Sequence, residues 1–308
     1  MTKNELHSFS LSEILNAEAK QYAEDFKVLR RLVIPYQINQ VESPIAKTGL
    51  VVDVEATGLS LDDDDVVQLG MLPFSYDAAS GKILHVHKDQ AFVGLREPAV
   101  PMSAEASLIT GLANEDLAGK RLDEAEIERL AASADLIIAH NAAFDRPMVE
   151  KLWKCFEAKP WACTLADVDW LAEGFAAGKL DYLGMQFGWF YDGHDALADC
   201  EACLALLTRS LPKSGQLVMN ALRENAQRQE HLVRAVGADF EKKEQLKRRR
   251  YHWRAQDSQF GKFWWTITDD LPGESAWLQD EIYGDKRAIK ASLVPAMMRF
   301  SNRIWELS

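Results

Sequence analysis

Two carboxylates stand two positions apart in a segment otherwise made of leucine and valine, Leu50-Val51-Val52-Asp53-Val54-Glu55. The apolar run predicts a buried strand, and the period of two places Asp53 and Glu55 on one face, about 7 Å apart along the strand. Two buried like charges are costly unless a cation neutralises them, and Mg²⁺ or Mn²⁺ with oxygen ligands would do so. The alternative is that this end of the strand is exposed. Thr57-Gly58-Leu59 favours the metal site, because a glycine turn ends the strand beside the carboxylates.

A second polar cluster, His140-Asn141-Ala142-Ala143-Phe144-Asp145, follows a short apolar strand predicted over residues 134–139. Polar residues that end a strand and open a helix lie where α/β folds place their ligand crevices. The helix dipole alone would also favour Asp145 in a first turn. Taken by itself, this cluster leaves both interpretations open.

The third cluster is His194-Asp195-Ala196-Leu197-Ala198-Asp199. On a continuous helix His194 and Asp199 would point about 140° apart. They can share a site only if His194 lies in a loop, which the preceding Gly193 permits, and Asp199 lies on the helix that follows. The alternative for His194 alone is a surface or capping histidine.

The order of predicted elements favours an α/β fold, because strands joined by short turns come first and β–α alternation follows. Before them, one apolar stripe predicts an N-terminal helix that ends at Pro35. Its positions are Leu15, Ala19, Tyr22, Phe26, Leu29 and Val33. We expect an N-terminal helical extension over residues 1–47, a mixed sheet flanked by helices over 48–211, and a helix plus a small basic, tryptophan-rich α+β domain over 212–308.

Charge and aromatic content mark the last of these boundaries. Residues 211–308 hold 17 Lys and Arg against 13 Asp and Glu, within a chain whose net charge is -12, and five of its nine tryptophans. We predict a helix over residues 216–236, then a basic run and a hairpin. The basic and aromatic side chains of residues 242–265 suit phosphates and stacked bases. The alternative, which we favour, is that the tryptophans form the core of this small domain.

The three clusters in this order resemble the motifs of the DEDDh exonucleases, the superfamily of the DNA polymerase III proofreading subunit. Secondary matches extend the resemblance over residues 48–210: Ile109-Thr110-Gly111-Leu112, Trp161-Ala162-Cys163-Thr164-Leu165 and Leu180-Asp181-Tyr182-Leu183. Trp161-Ala162-Cys163-Thr164 and Ala198-Asp199-Cys200 bring the chain closest to small bacterial exonucleases of the exonuclease X type.

The resemblance implies a ribonuclease H-like fold and 3′→5′ hydrolysis of DNA, single-stranded or at 3′ ends, to 5′-mononucleotides. It implies two divalent cations, Mg²⁺ or Mn²⁺, with Asp53 bridging both, Glu55 and Asp199 on one, and Asp145 on the other. His194 would be the general base. Two such ions can stabilise the attacking and the leaving oxygen of an in-line displacement.

We expect substrate contacts from residues that adjoin the carboxylates in the first two motifs. They are Ala56, Thr57, Gly58, Leu59, His140, Asn141 and Phe144. Two positions depart from the family pattern. Ala56 stands where threonine is common, so we expect an altered contact to the terminal nucleotide, and Gln68 stands where glutamate is common. Neither departure removes a metal ligand.

The expected partner is the 3′ end of a nucleic acid, with a polymerase or repair protein as a further class and no membrane. The polar start of the chain, its four cysteines and the lack of a long apolar run predict a cytoplasmic protein. Two alternatives stay open: an RNA-trimming exoribonuclease of the same fold and a non-catalytic nucleic-acid-binding module. The oligomeric state is not indicated.

Overall fold

The computed structural model describes residues 27–39, 45–256 and 258–308. Most of the predicted N-terminal helix, residues 15–26, lies outside them. Over residues 27–34 the helix prediction is wrong, because the chain is extended and strand β1 (Arg30–Arg31) pairs in parallel with β8 (Trp189–Phe190). The backbone N–H of Leu32 donates to the Phe190 carbonyl at 2.8 Å. Pro35 disfavours helix in the residue before it, and the strand edge supplies the backbone partners.

The main sheet has six strands in the order β4-β3-β2-β6-β7, with β5 also paired to β3. The strands are β2 (Ala46–Ala56), β3 (Val66–Asp77), β4 (Ile83–Val86), β5 (Phe92–Leu95), β6 (Leu136–Ala139) and β7 (Trp161–Cys163). β3 runs antiparallel to β2, whereas β6 and β7 run parallel to it. The carboxyl ends of β2 and β6 therefore meet at one edge of the sheet, where the first two motifs lie.

Helices cover both faces of this sheet, which confirms the predicted α/β class. They are α1 (Ala104–Thr110), α2 (Asn114–Leu117), α3 (Glu124–Ser133), α4 (Ala142–Glu150), α5 (Leu180–Gln186), α6 (Ala196–Leu207) and α7 (Val218–Ala226). Leu50 and Val52 pack with α3 and α4, while Val51 packs with α5, α6 and α7. Because β2 is buried on both faces, its sequence is a continuous apolar run rather than an alternation.

Gly70 brings helix α6 against the sheet. It is the register partner of Asp53 across β2 and β3. A Cβ atom at Gly70 would lie 2.5 Å from the carbonyl of Ala196, closer than any side chain allows. The missing side chain thus lets the start of α6 contact the strand pair directly beside Asp53.

The C-terminal region contains a second, antiparallel sheet in the order β10-β11-β9-β12. Its elements are β9 (Glu230–Val236), α8 (Lys243–Arg248), β10 (His252–Arg254), β11 (Phe263–Thr268), α9 (Leu271–Trp277), which continues as a π-helix (Leu278–Tyr283), and β12 (Lys290–Val294). The two sheets share no strand, which supports two domains; the boundary after residue 211 stays a proposal, since α7 packs in the core of the main sheet.

The helix predicted over residues 216–236 is wrong in its second half. Helix α7 ends at Ala226, and residues 230–236 form the strand β9 instead. β9 pairs with β11 on one side and β12 on the other, and Leu232 and Val233 are fully buried in two different apolar clusters. Strand pairing on both edges and burial on both faces therefore override the helical spacing seen in the sequence.

Part of the basic and aromatic segment packs within this region, but the tryptophans expected to form its core are only partly buried or, at Trp253, exposed. Arg249 forms an ion pair with Glu274 and lies 4.6 Å from the ring centre of Trp277. The buried Tyr251 hydroxyl donates to Glu274 at 2.8 Å. These groups partner one another within the fold, although the Arg249 side chain is still 41% exposed.

The C-terminal tail packs back onto the main sheet through buried charges. Arg299 pairs with Asp167 at 2.6 Å and with Glu230 at 2.8 Å. Arg146, which is completely buried, donates to the carbonyls of Met297 and Arg299. Arg146 adjoins Asp145 in sequence, so the tail supports the helix that carries this carboxylate. No described helix is long and apolar enough to cross a bilayer.

Candidate active site

Three of the predicted carboxylates converge at one edge of the main sheet. Asp53, Glu55 and Asp199 each offer an oxygen, and the three oxygens lie within 4.8 Å of one another. Asp53 and Glu55 lie on one face of β2 near its carboxyl end, and Asp199 is in the first turn of α6. The chain thus joins groups about 145 residues apart into a single set of oxygen ligands.

Asp145 lies beside this group, although it is not one of the three within 4.8 Å. It is in the first turn of α4, is 3% exposed, and accepts a hydrogen bond from the backbone N–H of Val54 at 3.1 Å. Val54 separates Asp53 from Glu55 in β2. The bond therefore fixes Asp145 against the strand that carries the other two carboxylates.

The four carboxylates destabilise one another's charged forms. Loss of hydration, followed by repulsion from Asp145 and Asp199, raises the pKa of Asp53 well above its usual value. Loss of hydration also raises the pKa of Glu55 to about 7 and that of Asp145 to about 8. Repulsion between close like charges and poor hydration both favour the protonated forms.

In the described part of the chain, no Lys or Arg forms an ion pair with any of these four carboxylates. A compact, all-oxygen, anionic donor set matches what hard divalent cations require. The residues present therefore fit a divalent metal site.

We predict that, without divalent cations, the chain loses stability as the pH rises from about 5 to about 8. Glu55 and Asp145 keep their protons up to about pH 7 and 8 in the folded state, whereas the unfolded chain has released them already. The folded state therefore binds more protons in this window, and the free energy of unfolding falls with pH, by on the order of a few kcal/mol.

Urea unfolding in EDTA between pH 5 and pH 8 measures this loss. Added Mg²⁺ should abolish most of it, because cation binding replaces the protons. A metal-free chain that becomes more stable across the same window would contradict the prediction.

His194 lies in the loop before α6, as its distance from Asp199 in sequence required. Its backbone N–H donates to Asp199 Oδ2 at 2.8 Å, and its side chain is exposed. His194 itself, and not Gly193, adopts the left-handed conformation, with φ of 66°. Such a φ is uncommon for a residue with a side chain. Here it turns the chain so that the histidine and Asp199 both lie at the cluster.

The segment expected to contact substrate after β2 is a structured turn. Ala56 ends the strand and is nearly buried. The Thr57 hydroxyl donates to Asp64 at 2.8 Å, and Gly58 lies so close to Asp64 that a Cβ would come within 2.5 Å of its carboxylate. Leu59 is 87% exposed on this turn. The turn therefore presents an apolar side chain to solvent four residues after Glu55.

The residues expected to contact substrate in the second motif are placed differently. His140 Nδ1 lies 2.8 Å from Thr164 Oγ1, and burial lowers its pKa to about 4. The pKa is lowered chiefly by loss of hydration, while a backbone hydrogen bond with Gly178 and the charge of Asp181 act in the opposite direction. Asn141 is exposed at the start of α4, and Phe144 packs partly into the core.

Sequence analysis missed three residues that hold the third motif in place. The Tyr191 hydroxyl donates to Asp199 Oδ1 at 2.5 Å. Gln68 accepts from the backbone N–H of Ala196 at 2.9 Å and donates to Asp195 at 3.2 Å, so it ties β3 to the start of α6. Asp195 caps α6 through the N–H of Ala198. Only Asp195 carried a local signal, as an acidic residue before an apolar helix.

Residues 50–207, about half of the chain, match the model of the RNase_T family, described as exonuclease. The chain belongs to this exonuclease family. The match confirms the resemblance to the DEDDh 3′→5′ exonucleases, and the protein is an exonuclease of a family that uses divalent metal ions.

Similar solved structures are those of other exonucleases. Exonuclease X in complex with a 5′ overhanging duplex DNA is 20% identical, with a TM-score of 0.39 over 57% of this chain and 92% of the other. Exonuclease I is 19% identical, with a TM-score of 0.46 over 62% of this chain and 49% of the other. E. coli exonuclease I with a dA16 oligonucleotide is 15% identical, with a TM-score of 0.45 over 72% of this chain and 63% of the other. The match to the first exonuclease I structure spans about half of that chain's length. No curated protein matches this exonuclease significantly in sequence.

Proposed function

We propose that this exonuclease releases 5′-mononucleotides from the 3′ end of DNA, single-stranded or at duplex ends, with two divalent cations, Mg²⁺ or Mn²⁺. The observation that carries the proposal is the group of oxygens from Asp53, Glu55 and Asp199 within 4.8 Å of one another. Asp145 lies against the same strand. DNA as the substrate is supported by the likeness of the ordered motifs to the proofreading exonucleases.

In the proposed site Asp53 would serve both cations, Glu55 and Asp199 would hold one, and Asp145 would hold the other. Asp53 is suited to sharing because Asp145 and Asp199 are the two carboxylates that most raise its pKa. Bound cations would stabilise the charge that develops on the attacking and leaving oxygens, and would reverse the local charge that otherwise repels a phosphodiester.

His194 is proposed to take the proton from the attacking water. Histidine is the side chain that most often accepts a proton at neutral pH in such reactions. The His194 side chain is exposed, while its backbone N–H is tied to Asp199. The base is thus held next to a metal ligand and remains open to water and substrate.

Leu59 is proposed to contact the terminal base. It is 87% exposed on the turn that follows Asp53 and Glu55, and an apolar side chain can pack against the face of any base. Thr57 and Gly58, which Asp64 holds in the same turn, place that side chain.

A digestion panel tests the proposal. End-labelled single- and double-stranded DNA and RNA of matched sequence are incubated with the full chain, with Mg²⁺, Mn²⁺ or EDTA. We expect stepwise release of mononucleotides from 3′ ends of DNA, and none in EDTA. Faster digestion of RNA would favour the exoribonuclease instead. Strand binding without metal-dependent cleavage by a folded chain would favour a non-catalytic module and overturn the proposal.

A further inference from the structure

Tyr191 contacts the proposed metal site from a position that no motif includes. It directly follows β8, and its ring packs against that of Trp189 with centroids 5.8 Å apart. Its hydroxyl donates to Asp199 Oδ1 at 2.5 Å. The ring also packs against the apolar cluster that includes residues of α6, so packing holds the phenol where it contacts the carboxylate.

This bond completes a set of donors on Asp199. Oδ1 accepts from the Tyr191 hydroxyl, and Oδ2 accepts from the backbone N–H of His194 at 2.8 Å. Hydrogen bonds to both oxygens restrict the rotation of the carboxylate group about its Cβ–Cγ bond. Each oxygen keeps a further lone pair, and Asp53 and Glu55 lie within 4.8 Å of one of the Asp199 oxygens.

The strand that leads to Tyr191 is itself supported by a segment outside the matched family region. β1 pairs with β8, and the N–H of Arg30 donates to the carbonyl of Gly188 at 3.1 Å. Arg31 also pairs with Asp192, on the far side of Tyr191, at 2.8 Å. The N-terminal extension thus binds the backbone directly before Tyr191 and the side chain of the residue after it.

We propose that Tyr191 is a positioning residue that fixes the orientation of Asp199 for a divalent cation. The proposal rests on the metal-binding role proposed for Asp199. Hydrogen-bond donors to metal-ligating carboxylates orient them, and their loss weakens metal binding by about ten- to a hundredfold. Tyr191 acts through Asp199 and does not contact the reacting atoms.

Tyr191→Phe tests this, since it removes only the hydroxyl and keeps the packed ring. Mn²⁺ binding to the full chain should weaken about tenfold. The electron paramagnetic resonance signal of the free ion measures this binding. The Mn²⁺ concentration for half-maximal digestion should rise by a similar factor, while the rate at saturating metal stays close to that of the unaltered chain. Tyr182→Phe is the matched control, because the Tyr182 hydroxyl accepts from Ala176 and contacts no carboxylate of the site.

Asp199→Ala separates this inference from the proposed function. If Asp199→Ala weakens Mn²⁺ binding and Tyr191→Phe does not, the role of Tyr191 is overturned and the metal site stands. If Asp199→Ala leaves Mn²⁺ binding unchanged, the proposed site itself fails. A loss of rate in Tyr191→Phe at saturating metal, with unchanged Mn²⁺ affinity, would also overturn the positioning role.

Discussion

Asp53→Asn is expected to lower the rate of mononucleotide release by about a thousandfold or more. Cations at such a site supply several kcal/mol of transition-state stabilisation, and each 1.36 kcal/mol corresponds to a tenfold change in rate. Asp53 is the carboxylate proposed to serve both cations, so its replacement disturbs both. Single-turnover digestion of end-labelled DNA at saturating Mg²⁺ measures the loss.

The same change should stabilise the metal-free protein. Its neighbours and poor hydration raise the pKa of Asp53 far above the usual value. The folded state must therefore bind a proton there or hold a repelled charge, and a neutral amide avoids both costs. The melting temperature in EDTA at pH 8 should therefore rise as activity disappears. Asp89→Asn, at an exposed carboxylate away from the cluster, is the control and should change neither quantity. Full activity in Asp53→Asn would contradict the proposed site.

His194→Asn is expected to lower the rate at saturating metal by about a hundred- to ten-thousandfold, the range that a positioned general base contributes. Asparagine suits this test because it tolerates the left-handed backbone that His194 adopts, with φ of 66°. The N–H bond to Asp199 should then persist, and Mn²⁺ binding should be unchanged. A general base requires this result, in which the rate falls while the affinity for Mn²⁺ stays the same.

Two results would count against His194 as the base. One is a rate close to that of the unaltered chain. The other is an equal loss of Mn²⁺ affinity, which would show that the histidine acts by supporting the metal site. His85→Asn is a useful control, since His85 lies on β4 and is partly exposed.

The sequence predicted the main sheet better than its surroundings. The apolar run around Asp53 is informative because a strand buried on both faces needs apolar residues at nearly every position. The segment over residues 230–236 is not informative, because the spacing of its apolar residues fits a helix or a strand equally well. The predicted N-terminal helix fails over residues 27–34 for the same reason, since pairing with β8 decides the conformation there.

The placement of the third motif shows what the sequence leaves open. Sequence analysis assigned the turn to Gly193, whereas the left-handed residue is His194. Gln68 appeared only as a departure from the family pattern, and the structure shows it bonded to the start of α6. No sequence motif pointed to Tyr191, because its role depends on where the fold places its hydroxyl group.

The sequence by itself determined the candidate residues and their order, because residue type and spacing decide whether a side chain can ligate a cation or accept a proton. It also determined that β2 is buried, because only apolar residues can fill such a strand. Tertiary structure alone decided that Asp53, Glu55 and Asp199 meet within 4.8 Å. That distance depends on α6 resting against Gly70 and on bonds from Gln68 and Tyr191, and such contacts between distant segments leave no periodic trace in the chain.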